Sequence, residues 1–363
     1  MRTGKLPSRR TLRPTIVRLH RWLGLAAAVF WLLQAITGSL IVFHWELRDA
    51  AIGDVHRPTD LAAIERRLTA LAPPAAGAAV GSMWTTAGLP DRYDIYYTDA
   101  NGEDRSARIL GDGTLLDREA SVTGGALDTM VGLHHDLLAG PTGDWIVAIS
   151  GTLLVSNLIA GLVAAWPRKG TWAIALKPSG KGNAAARLYS WHRAIGLWLV
   201  LPALLIATTG TLLKFPDGVS KLLGADTPGL PPVPARGAPI GFASAVGAAM
   251  NALPGSALVS VSFPETKDAT YSVLLRTPDE MRNAYGASRV LIDANDGSVR
   301  GRFPIAAAPI GTQVSAAIVP IHTGQAAGLI GRLIVLTIGL SLAAMIVTGP
   351  LLWARRRRTR RAA

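Results

Sequence analysis

Four of the seven histidines in this 363-residue sequence fall into two matched pairs. His20-Arg21-Trp22-Leu23-Gly24-Leu25 recurs as His192-Arg193-Ala194-Ile195-Gly196-Leu197. Seventeen residues beyond each histidine comes Thr-Gly, as Thr37-Gly38 and Thr209-Gly210. His134 is followed by Gly140, Gly143 and Gly161 at offsets of 6, 9 and 27, and His322 by Gly328, Gly331 and Gly349 at the same three. Neutral imidazole is a good axial ligand for haem iron. Two imidazoles facing each other from separate helices, with an apolar slot between them, form the arrangement a bis-histidine haem b needs. A histidine beside arginine at a membrane boundary also serves simply as an interfacial polar residue, and the residues leave both readings open. Arg21 and Arg193, next to the inner pair, suit haem propionates or plain anchoring at the lipid surface. His44 aligns with Pro216 and His135 with Thr323, so neither has a counterpart. Each of those two stands as a substitute ligand or a substrate-side group, and His56 reads as a loop residue.

The elements that must position these side chains are membrane helices. Only 17% of residues are charged, while 49% are hydrophobic, a balance unlike that of a soluble protein. Leu23–Phe43, Trp145–Trp166, Ala194–Leu213 and Leu333–Trp353 carry no charge, and each is long enough to cross the ~30 Å hydrocarbon core as a helix. The net charge of +13 is concentrated in 1–21, 167–193 and 354–363, with 7, 6 and 6 Lys or Arg residues and no acid. That is the positive-inside pattern. It places both termini and the 167–193 loop in the cytoplasm, and it reads Arg355–Arg361 as an anchor near anionic lipid rather than a nucleic-acid arm. Trp22, Trp166, Trp191 and Trp353 on one side, with Trp45 and Trp145 on the other, fit an interfacial belt.

The fold class expected is an integral membrane α-helical protein: four transmembrane helices as two parallel helix-pair repeats, 16–168 and 188–355. Equivalent residues of the repeats then lie at equal depth about an axis along the membrane normal. The divisions expected are 1–45 (cytoplasmic N-terminus and helix 1), 46–132 (first outer module), 133–168 (helix 2) and 169–187 (cytoplasmic loop). Then come 188–215 (helix 3), 216–320 (second outer module) and 321–363 (helix 4 and basic tail). Each outer segment opens with a short helix, at Leu61–Leu71 and Phe242–Leu253. Strand-like runs follow at Tyr93–Thr98, Ala107–Leu110, Leu258–Phe263, Tyr271–Arg276 and Ser288–Ile292, so a small α+β module is expected in each. Pro228–Pro234 reads as a stiff linker. With no cysteine, disulfides, thiolate metal sites and covalent c-type haem are excluded.

The Trp-His-Arg-x-x-Gly-Leu-Trp run at 191–198 and the Leu-His-x-x-Leu-x-x-Gly-x-x-Gly run at 133–143 resemble those of PepSY-associated transmembrane proteins, as does the four-helix plan over nearly the whole chain. Within that family the chain is similar to bacterial iron-regulated membrane proteins of the ferric-siderophore reductase type. The resemblance implies an inner-membrane protein that binds two haems b and passes electrons to a ferric siderophore in the periplasm. It carries the haem-ligand role onto His20, His192, His134 and His322, and PepSY-like folds onto the outer modules. The second outer motif, Ile321-His322-Thr323, departs from the first by lacking the neighbouring Leu and His. No Gly-x-Gly-x-x-Gly lies in a βαβ context, so the donor is expected to be a separate cytoplasmic reductase or quinol. A non-catalytic module that binds or regulates a partner protein, or an uptake component for siderophore or metal, is the competing expectation; four helices with no charge inside them argue against transport.

Overall fold

The computed structural model describes residues 9–53, 55–118, 125–225 and 230–362. Arg2 and Lys5 of the basic N-terminal segment, and Pro228 and Gly229 of the expected linker, lie outside the described residues. The chain divides into a helical unit (1–42, 129–216 and 321–363) and a sheet unit (43–128 and 217–320). From the N-terminus it forms helices α1 (Arg9–Leu40), α2 (His44–Ile52) and α3 (Leu61–Leu71), then strands β1 (Ala79–Thr85), β2 (Arg92–Thr98), β3 (Asp104–Leu110) and β4 (Leu115–Arg118). Helices α4 (Ala126–His135), α5 (Gly140–Ala165), α6 (Trp172–Ala175), α7 (Ala184–Leu212), α8 (Pro216–Leu223) and α9 (Phe242–Ala252) follow. Strands β5 (Ala257–Ser262), β6 (Thr270–Arg276), β7 (Ser288–Asp293) and β8 (Val299–Phe303) precede α10 (Ile310–His322) and α11 (Gly328–Ala362).

In the helical unit, α1, α5, α7 and α11 are each long and apolar enough to cross a membrane. Their outward faces carry large apolar side chains such as Val29 (85% exposed), Leu201 (70%) and Ile330 (71%). Such faces are stable only against lipid, and the chain is a multi-pass membrane protein. α1 packs on α5 and α11, and α7 packs on the same two, so α1 and α7 stand diagonally, as do α5 and α11. Asn183 caps α7, its side chain accepting from the Ala186 amide at 2.9 Å. At the end of α5, Arg13 donates to the carbonyls of Ala164 (3.0 Å) and Trp166 (3.1 Å), and Arg193 to that of Ala165 (3.3 Å). These cations satisfy carbonyls that have no partner within the helix.

Helices 2 and 4, expected from 133 and 321, begin later. The chain breaks after His134-His135 and again after His322. In the first break Leu137 and Leu138 both take φ of 59° and Gly140 takes 53°; in the second, Gly324 takes 77° and Gly328 60°. Gly143 and Gly331 sit where the chain doubles back. A β-carbon on Gly143 would collide with the carbonyl of Asp136, and one on Gly331 with that of Gly324. The repeated offsets of 6 and 9 thus mark the left-handed residue and the close approach that each break requires.

The sheet unit differs from the expectation of one module per outer segment. All eight strands form a single antiparallel sheet in the order β4-β3-β2-β1-β5-β6-β7-β8. The halves meet where β1 pairs with β5 through Ser82–Ser262, Met83–Val261 and Trp84–Ser260. α3 and α9 pack against each other and close one continuous core. Ile64 and Leu68 on successive turns of α3, Met83, Ile95 and Ile109 belong to it, together with Val246, Val261, Val273 and Ile292. Asp60 caps α3 through the Ala62 and Ala63 amides, both at 3.0 Å. Glu65 of α3 accepts from the Ala243 amide at the start of α9, at 3.2 Å, which sets a carboxylate on the positive end of that helix.

Candidate functional site

Four histidine rings in the helical unit form two pairs. His20 of α1 and His192 of α7 have ring centroids 6.5 Å apart, with an interplanar angle of 62°. His134, near the end of α4, and His322, closing α10, are 6.4 Å apart at 26°. A metal–imidazole bond of about 2.0 Å, and a ring centroid about 1.2 Å behind its nitrogen, put two imidazoles on opposite sides of one metal about 6.4 Å apart. Both pairs have that spacing.

Each ring has its Nδ1 engaged by an oxygen that can only accept. His20 Nδ1 lies 3.0 Å from the Asn157 carbonyl. His192 Nδ1 lies 3.0 Å from Thr348 Oγ1, whose own proton goes to the Met345 carbonyl at 3.1 Å. His134 Nδ1 is 3.3 Å from Thr37 Oγ1, which donates to the Leu33 carbonyl at 2.8 Å. His322 Nδ1 is 3.0 Å from the Ile206 carbonyl and 3.4 Å from Thr209 Oγ1, which donates to the Leu205 carbonyl at 2.8 Å. The network therefore assigns the ring proton to Nδ1 in all four and leaves the lone pair on Nε2. This is the usual state of a metal-ligating histidine, oriented and made more basic by a hydrogen bond at its other nitrogen.

Glycine makes room for the rings. A β-carbon on Gly38 would lie 2.7 Å from His134 Cε1, on Gly210 2.5 Å from His322 Cε1, and on Gly161 2.9 Å from His20 Cε1. On Gly349 it would be 3.9 Å from His192 Cε1, an ordinary contact. The repeated Thr-Gly dipeptide thus acts on His134 and His322: the threonine holds Nδ1 and the glycine admits the ring. This use is not legible in the dipeptide alone. The signal was present in their common offsets, but the partner is visible only once α1 lies beside α4.

The other candidates are placed differently. His135 has its ring 6.1 Å from that of His134 and joins neither pair. His44 lies in the sheet unit with its ring 4.7 Å from that of Trp45. Arg193 is held at the end of α5, and Arg21 lies over its neighbour Trp22, 5.3 Å from the ring centroid. His56 joins Asp49 (3.3 Å) and the Pro90 carbonyl (3.2 Å) in the sheet unit. Among the described residues, no group of three or more His, Asp or Glu side chains is placed to hold a metal ion.

Residues 17–356 match the model of the PepSY-associated TM region. No curated protein matches the chain.

Proposed function

The chain belongs to the family of the PepSY-associated TM region, and from that premise we propose that it is an inner-membrane di-haem b oxidoreductase. It passes electrons across the membrane to a ferric siderophore in the periplasm and releases the iron as Fe(II). The observation that carries this reading is the pair of histidine pairs, each at the spacing of two imidazoles on one metal and each with the ring proton assigned to Nδ1, leaving the lone pair on Nε2. Two neutral imidazoles are a donor set that haem iron would take from the protein.

In this reading His20 and His192 would hold one haem and His134 and His322 the other. Bound there, haem supplies one-electron chemistry. The chain's own residues orient the imidazoles: Asn157 and Thr348 act on His20 and His192, and Thr37, Thr209 and Ile206 act on His134 and His322. Gly38, Gly161 and Gly210 keep the ring positions open, and the apolar helices exclude water. The two helix pairs, α1–α5 and α7–α11, are related by a pseudo-two-fold axis along the membrane normal, with both termini in the cytoplasm. Such an axis sets the two histidines of each pair at equal depth. Ferric iron is hard and prefers anionic oxygen donors; ferrous iron binds them far less tightly, so reduction frees the metal from its chelate. The donor is a separate cytoplasmic reductase or quinol, and the two halves of the sheet are PepSY-like modules.

The absorption spectrum of protein expressed with ample haem tests the reading. A Soret band with two haems per chain is expected, and His192→Ala and His322→Ala are each expected to lose one. Absence of the band points instead to a non-redox module that binds a partner protein; full occupancy in both variants refutes the ligand assignment.

A further inference from the structure

The end of the helical unit that holds the inner histidines carries a second constellation, built from aromatic rings and arginines. Trp22 of α1 and Trp353 of α11 meet edge to face, with centroids 6.4 Å apart. Arg21 lies over the Trp22 ring at 5.3 Å, Arg357 over Trp353 at 5.5 Å, and Arg356 over Tyr189 of α7 at 4.9 Å. The rim thus runs across α1, α11 and α7, which pack in that order. Trp22 is 55% exposed and Tyr189 40%, so it faces outward.

The three chain segments at this end contain no Asp or Glu, and the arginines are held by rings instead. A cation–π contact uses the charge of a guanidinium without consuming its N–H donors. The planar fork therefore stays available, and a fork of that shape matches the oxygens of a phosphate. A tryptophan belt sets the depth of the rim at the headgroup level of the bilayer.

We propose that Arg21, Arg356 and Arg357, seated on Trp22, Tyr189 and Trp353, bind the phosphate headgroup of an anionic phospholipid. Arg21 follows His20 directly and Tyr189 stands one helical turn before His192, so the bound lipid braces both helix ends that present the inner pair. This role differs from propionate pairing, because it needs no haem and is present in the haem-free protein.

Native mass spectrometry of the full-length protein, incubated in detergent with phosphatidylglycerol or phosphatidylcholine, tests the proposal. The wild-type chain is expected to retain phosphatidylglycerol about tenfold better or more, whether or not haem is bound. The Arg21→Gln, Arg356→Gln, Arg357→Gln triple variant is expected to lose that preference. Equal retention of both lipids by the wild type, which requires no variant to fold, overturns the proposal. So does an unchanged preference in the triple variant, or displacement of the lipid by an equal concentration of inorganic phosphate.

Discussion

A β-carbon added at Gly38 would stand 2.7 Å from Cε1 of His134, closer than such contacts are tolerated, and Gly210 stands in the same relation to His322 at 2.5 Å. Alanine at either position must push the imidazole out of its seat or part α1 from α4, or α7 from α10. Overpacking of this kind costs about 1–3 kcal/mol. Gly349→Ala is the control, since its β-carbon meets His192 Cε1 only at 3.9 Å and alanine favours helix by about 1 kcal/mol over glycine. Thermal unfolding in detergent should show Gly38→Ala and Gly210→Ala lowered and Gly349→Ala unchanged or raised. Haem content, on the proposed function, should fall by one per chain only in the first two.

His134 and His322 are each held by a threonine hydroxyl and a backbone group. His134 has Thr37 Oγ1 at 3.3 Å together with the backbone of Gln34, and His322 has Thr209 Oγ1 at 3.4 Å together with the Ile206 carbonyl at 3.0 Å. Thr37→Val and Thr209→Val keep the shape and remove the hydroxyl acceptor, so each ring loses part of what fixes its orientation and tautomer. Losses of this kind lower metal affinity about 10–100-fold. Titrating haem into the haem-free protein should therefore show weaker binding for Thr37→Val and, to a similar degree, for Thr209→Val, since each ring keeps its backbone partner.

Burial raises the pKa of Glu280, just beyond β6, although Ser288 donates to its carboxylate at 3.0 Å and Thr277 at 3.4 Å. A raised folded-state pKa means that the folded chain holds the proton more tightly than the unfolded one. That contribution to stability is full below the ordinary glutamate pKa and is lost as pH rises through the raised value. Glu280→Gln keeps the shape without titrating. The unfolding midpoint of the wild type should fall relative to that of the variant as pH rises through this window, from about 4 upward. A constant difference across pH contradicts the assignment.

The histidine pairs and repeated glycines were legible in the sequence because two copies preserve the same offsets while their neighbours changed. The membrane helices were legible because long uncharged runs have few other uses. The helix breaks were less so. Leu137 and Leu138 adopt positive φ without a glycine to announce it, so α4 and α5 read as one approach to the membrane. The fusion of the two sheet halves was hidden for a related reason. It runs through β1, Ala-Val-Gly-Ser-Met-Trp-Thr, whose small residues and internal glycine give a weak strand signal. Its pairing with β5, about 180 residues away, depends on tertiary contacts that no local pattern encodes. In the sequence Arg21 suits propionates and lipid-surface anchoring equally; its position over Trp22 depends on a rotamer that spacing does not determine.

Asp94 and Arg108 are directly opposed on β2 and β3, and both side chains are buried, with Arg108 Nε donating to Asp94 Oδ1 at 2.7 Å. Removing one charge from such a pair leaves the other desolvated and unpaired, a loss of about 3–5 kcal/mol. The site is more sensitive still, because fully buried Arg92 lies nearby. Burial lowers its pKa and the charge of Arg108 lowers it further, while Asp94 acts in the opposite direction. Asp94→Asn therefore leaves two buried guanidiniums with less compensation, and hydrogen exchange of β2 and β3 amides in the full-length protein should accelerate strongly. The Asp94→Leu, Arg108→Leu double variant removes both charges and should recover much of the protection lost by either single change, since apolar replacement of a buried pair is often neutral. If the double variant is as unprotected as the sum of the two singles, the pair is not coupled and the charges act separately on the sheet.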